Sequence, residues 1–144
     1  MANIFDVAKF ILNRYGSMSA WKLQKLCYYS QAWAIAWTEK PLFNEDFEAW
    51  SNGPVCRPLF NEHKGMFNVK PSDINYGNPD NLTPDEKDTI DTVIRDYGHL
   101  SPYQLREISH SEAPYIQARH NLPDGIPCSN IISKSSMGAF YGSL

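Results

Sequence analysis

A chain of 144 residues, 42% of them hydrophobic and 13% aromatic, can bury roughly two-thirds of its unfolded surface in one core, so a single domain over residues 1–144 needs no disulfide or metal staple. A formal net charge of -3, with the 13 Lys and Arg spread along the chain, gives no field that draws phosphate and disfavours nucleic acid as the main partner. No uncharged apolar run reaches the roughly 18 residues of a membrane helix, and the start MANIFDVAKF lacks the basic segment and apolar stretch of an export signal, so a cytoplasmic location away from membranes is expected.

Asn3 caps a first helix whose Phe5, Ala8, Leu12 and Tyr15 follow helical spacing, and Gly16 closes it. Ser19 caps a second helix, KLQKLCYYSQAWAIAW, with Met18 placed before the cap to pack on Leu23. Leu23, Leu26, Tyr28, Tyr29, Trp33, Ile35 and Trp37 leave that helix apolar on nearly every face, so it is expected to be the buried centre of the fold. Phe47 to Trp50 alternates as one short strand would, and Ser51 to Pro54 reads as a turn leading into a short helix that ends by His63 to Gly65.

Asn61 to Leu82 is punctuated by Pro71, Gly77 and Pro79 and lacks sustained periodicity, so it reads as a long loop. Its Met66, Phe67 and Tyr76 either tack the loop to the core or face a partner. Thr83-Pro84-Asp85-Glu86 and Ser101-Pro102-Tyr103-Gln104 each start a helix with a capping box and Pro in the first turn. Pro114 kinks or restarts the helix before it. Ile131 and Ile132 are extended and able to pair with the Phe47 strand, and Ser133 caps a last helix carrying Met137, Phe140 and Tyr141. The fold class expected is mainly α: a compact helical domain around a buried aromatic-rich helix, with at most a small β element.

Chemistry-bearing clusters are sparse. Cys27, Cys56 and Cys128 are odd in number and far apart, which fits reduced thiols, and no spacing suits a metal site. His63, His99 and His120 stand alone and read as solvated helix ends. Ser109, His110 and Glu112 are neighbours in sequence, yet such neighbours do not share a helix face, so a junction whose amides Ser111 or Glu112 caps is favoured over a triad. Gly53-Pro54-Val55 before a helix reads as a tight turn more readily than an anion cradle, because Pro54 has no N–H. Lys22 and Lys25 are expected in solvent, as lysines on amphipathic helices usually are. The expectation is therefore a protein with no enzymatic activity and no cofactor.

Four tryptophans, Trp21, Trp33, Trp37 and Trp50, carry indole donors that want partners, so at least one should lie near the surface. Trp33 and Trp50 are expected in the core. Trp37 is the candidate for exposure, and with Met66, Phe67 and Tyr76 it forms the set of candidate partner contacts.

Three segments carry a family resemblance. Lys22-Leu23-Gln24-Lys25-Leu26 with Tyr28 and Tyr29, then Ala49-Trp50-Ser51-Asn52-Gly53-Pro54-Val55, then Leu105-Arg106-Glu107-Ile108-Ser109-His110-Ser111-Glu112-Ala113-Pro114, together resemble the Panacea, or SocA-like antitoxin, family from about Val7 to Tyr141. The positions Lys22, Leu23, Gln24, Lys25 and Tyr28, Trp50, Gly53, Pro54 and Val55, and Ser109, His110, Glu112 and Pro114 match its motifs and are read as structural.

The resemblance implies an antitoxin that binds and silences a protein toxin, encoded by an adjacent gene. It also permits a protease adaptor that hands a toxin to a AAA+ protease, or a phage or mobile-element protein that binds a host defence factor. A hydrolase built on His110 is the remote alternative.

Overall fold

The computed structural model describes all residues 1–144. Its helices start where the sequence carries side-chain caps. Asn3 and Asp6 form a capping box at α1 (Ile4–Tyr15), and Ser19 accepts from Lys22 N at α2 (Ala20–Thr38). Thr83 with Glu86, and Ser101 with Gln104, box the starts of α4 (Pro84–Tyr97) and α5 (Pro102–His110). Each device meets donors that the first helical turn leaves free. Three further helices complete the set: α3 (Arg57–His63), α6 (Ala113–Ala118) and α7 (Lys134–Tyr141).

The 19-residue α2 is the axis, packed by α1, α4, α5 and α7. Leu23, Leu26, Tyr28, Tyr29 and Ala32 are wholly buried along it. The tyrosines stack rather than merely fill space: Tyr29 lies parallel to Tyr97 at 4.2 Å, and Tyr28 meets Phe47 edge-on at 5.4 Å. Such pairs add to the area term by about 0.5–1.5 kcal/mol each.

Five short strands form, more than the two extended segments expected. β2 (Phe47–Trp50) is central, with β3 (Gly53–Val55) on one side and β5 (Ile131–Ile132) on the other, all antiparallel. The register sets Phe47 opposite Ile132, as the sequence suggested, and Trp50 opposite Gly53. Gly53 to Val55 thus belongs to a strand and not to a helix start, and the turn narrows to Ser51 and Asn52. Gly53 takes φ +114°, which a residue with a side chain rarely adopts. A second pair joins β1 (Met18–Ser19) to β4 (Asn68–Val69).

The long loop is held by residues other than the Met and two aromatics that its sequence singled out. Val69, Ile74 and Leu82 are buried in it. The buried Asp6 carboxylate accepts from Asn78 N at 2.6 Å, and Ala20 N donates to Phe67 O at 2.9 Å. A backbone pinned at both ends leaves Met66, Phe67 and Tyr76 pointing outward.

Candidate functional site

The three motif segments meet on the β2–β3 hairpin. From α2, Gln24 grips Cys56 twice, accepting from its N–H at 2.8 Å and donating to its carbonyl at 3.2 Å. The same amide nitrogen lies 3.0 Å from His63 Nε2, which makes the imidazole the acceptor. His63 is thereby buried in the core and is not a solvated helix end, and burial lowers its pKa. From the α5–α6 junction, His110 Nε2 lies 2.9 Å from the Ser51 carbonyl and Nδ1 2.8 Å from the Arg106 carbonyl. Tyr115 donates to Trp50 O, and the buried Arg119 donates to Ala49 O at 2.9 Å. Side chains from both flanks therefore satisfy the hairpin's carbonyls, and the motif spacing follows from which carbonyl each side chain reaches.

Lys22 and Lys25 are buried, contrary to the expectation that they extend into solvent. α2 is enclosed on the side that carries both, so their stems lie in the packing and only the nitrogens need partners. Lys22 finds two close oxygens: it donates to Gly98 O at 2.6 Å and to Tyr15 OH at 2.8 Å, and its nitrogen lies 4.5 Å from the Tyr15 ring centre. Lys25 does not. At 1% exposure its ammonium reaches Pro54 O at 3.3 Å and lies 5.5 Å from the Trp21 ring centre, and no carboxylate pairs with it. Burial, with the like charge of Arg106 added, pushes its pKa down to about 7.

Lys25 closes the floor of a cavity of about 200 Å³ whose other walls are Trp21, Asn52, Pro102, Tyr103 and Arg106. Gly53 makes room for that floor. A Cβ there would stand 2.5 Å from Lys25 Cε and 3.2 Å from Ser109 Oγ. Arg106 and this cavity were not singled out by sequence reasoning; the only signal was the presence of Lys25, Asn52 and Arg106 in three separate motifs.

Glu112 does not cap α6, whose start has no side-chain cap. Its carboxylate turns inward, accepting from Tyr29 OH at 2.6 Å and Tyr141 OH at 2.7 Å. Burial raises its pKa against the opposing pull of those two hydroxyls. Ser109 Oγ donates to Arg106 O. Ser109 and His110 thus share the Arg106 carbonyl while Glu112 faces Tyr29 and Tyr141, and no hydrogen bond links the three into a proton relay. Pro114 sits in the first turn of α6, where its missing N–H costs nothing.

The candidate partner contacts are exposed but are not one patch. Phe67 is 80% exposed at the N-terminal end of α2, and Trp37 is 52% exposed near its C-terminal end, 17 residues along an axis that rises about 1.5 Å per residue. Met66 adjoins Phe67, while Tyr76 packs on Phe5 of α1 at 5.5 Å. Trp37 also leans on Trp33 at 5.2 Å. Trp33 and Trp50 are half-buried, not wholly in the core, because each indole N–H seeks an oxygen at the rim: Tyr97 OH at 3.0 Å for Trp33, and Glu48 Oε1 at 2.9 Å for Trp50.

No helix is long and apolar enough to cross a membrane. Neither a curated protein nor a solved structure matches the chain. The family model described as antitoxin SocA-like, Panacea domain, matches residues 23–115, a stretch that holds the central helix from Leu23 onward, the clamped hairpin and the α5–α6 junction, and the chain therefore belongs to that family.

Proposed function

We propose that this protein is the antitoxin of a toxin–antitoxin pair and silences its toxin by direct, stoichiometric binding, without turnover. Membership of the SocA-like antitoxin family carries the reading. Its chemistry is supported by exposed aromatic anchors on a well-packed scaffold: Trp37, Phe67 and Tyr76 present large apolar area, and the scaffold behind them spends little entropy on binding. An interface of standard size, roughly 800 Å² per partner, is enough to occlude a toxin's working surface.

The toxin is expected from an adjacent reading frame, and the working compartment is the cytoplasm. Co-expression tests the reading. Growth arrest by the neighbour alone, relief by this chain, and co-purification of the two at one-to-one stoichiometry support it. Relief without a complex overturns direct binding. Relief that disappears when a AAA+ protease is deleted, with the toxin degraded in a cell-free assay only when this chain is present, would replace occlusion by adaptor-driven proteolysis.

A further inference from the structure

We propose that the cavity between the N-terminal turns of α2 and α5 and the β2–β3 turn is a binding site for one carboxylate carried on a small flat body, held by Lys25 and Arg106. The site stands on geometry that the clamp on the hairpin does not explain. Gln24, His110, Tyr115 and Arg119 already hold the hairpin backbone. Lys25 adds one long bond to Pro54 O, and most of its donor capacity is left over.

The contrast with Lys22 is the sharpest argument. Both lysines are buried on one helix, yet Lys22 meets two oxygens within 2.8 Å and Lys25 meets none closer than 3.3 Å. A buried cation without a counter-charge is costly, and the nearest charge here, Arg106, has the same sign. An anion in the cavity removes both penalties at once. The depressed pKa of Lys25 is the consequence expected of such a site when empty, since a bound carboxylate returns the amine to its charged form.

The walls define the rest of the ligand. Arg106 is only partly exposed and now pairs with Glu107, its sequence neighbour, at 2.8 Å. That surface pair is worth little, so the guanidinium is available for a better-buried carboxylate, which its planar fork fits. Trp21, Tyr103 and Pro102 supply flat apolar faces, and Asn52 supplies an amide at the mouth. About 200 Å³ is smaller than the roughly 300–1,000 Å³ of sites for drug-sized ligands, and suits a single ring or short side chain bearing one acid group. The carboxylate can come from a free small acid or from an acidic side chain of a bound protein.

The test is a titration of protein labelled with ¹³C at lysine Cε, using benzoate as the probe and benzyl alcohol as its uncharged counterpart. The expected result is a saturable shift of the Lys25 resonance with a Kd on the order of 1 mM, at least tenfold weaker for benzyl alcohol. Arg106→Gln should weaken benzoate five- to tenfold, and Lys40→Met, just past the C-terminal end of α2, should leave it unchanged. A linear, unsaturable response in the folded wild-type protein overturns the proposal. So does saturation equally strong for benzyl alcohol, or undiminished in a folded Arg106→Gln protein. The source is read separately: tenfold weaker toxin binding by a folded Arg106→Gln protein assigns the acid to the partner, and unchanged toxin binding assigns it to a free ligand. The benzoate titration needs no toxin, so it stands or falls apart from the antitoxin reading.

Discussion

The hydroxyl of Tyr29 donates to the carboxylate of Glu112 at 2.6 Å, joining the middle of α2 to the start of α6 across 83 residues of sequence. Tyr141 donates to the same oxygen, and no cation is present to balance the charge. The folded pKa of Glu112 is raised above its ordinary 4.5, chiefly by burial. Stability from this group is then fully present below about 4.5 and is lost as pH rises through the folded value. The urea-unfolding free energy of wild type minus that of Glu112→Gln should fall as pH rises above about 4.5. Glu112→Ala, which takes the acceptor from Tyr29 and the closer of the two acceptors from Tyr141, should cost about 1–3 kcal/mol below about pH 4.5 and less as pH rises.

Lys25 works in the opposite direction. Its folded pKa of about 7 lies below its ordinary 10.5, so its contribution is present in full above about 10.5 and lost as pH falls toward 7. Wild-type stability minus that of Lys25→Met should rise between about pH 7 and 9.5, with a slope no steeper than about 1.4 kcal/mol per pH unit. The buried tyrosines and Cys27 and Cys56, whose pKa values burial raises, are common to both proteins and cancel. Arg106 and His63, which face the amine, should be held constant in both. A flat difference curve would mean that Lys25 is as solvated as an ordinary lysine.

Leu26 is wholly buried on the central helix. Leu26→Asp places an unpaired carboxylate there at a cost of several kcal/mol, against a typical domain stability of about 5–15 kcal/mol. The variant should lose its cooperative melt by circular dichroism. A soluble, cooperatively melting Leu26→Asp protein would remove α2 from the core.

Phe67→Ala should leave the melting temperature within a degree or two, since the ring is 80% exposed. Trp37→Ala forfeits the contact with Trp33 and should cost about 0.5–1.5 kcal/mol, far less than the roughly 3–5 kcal/mol of a core aromatic. If either is an anchor, toxin affinity drops about thirtyfold, roughly 2 kcal/mol. Titration calorimetry and melting on the same proteins decide the matter, and a stability loss that accounts for all the lost binding defeats the anchor assignment. Because the two residues lie at opposite ends of α2, a single small interface should respond to only one of them.

His110→Ala removes contacts to the Ser51 and Arg106 carbonyls and should destabilise by about 1–2 kcal/mol. No hydrolase activity should change with it. Turnover that vanishes in this variant while its melting temperature holds would overturn the binding-only reading.

The sequence by itself determined what depends on near neighbours. Asn3, Ser19, Thr83, Ser101 and Ser133 each cap a helix through an amide three residues on, so their helices were legible from spacing alone. Phe47 and Ile132 were legible as pairing strands from alternation and β-branching, and α2 as the core axis because apolar residues fall on nearly every face of it. Tertiary structure alone decided the fate of the polar residues in the motifs. A lysine in sequence looks the same whether its nitrogen meets Gly98 O and Tyr15 OH or a half-empty cavity. Lys25, Asn52 and Arg106 become one site because β3 runs back along β2 and brings Pro54 over α2, and Glu112 turns inward because α7 delivers Tyr141 from 29 residues away. Those contacts have no periodicity to read: each depends on where distant elements cross, which is fixed by burial of the whole core.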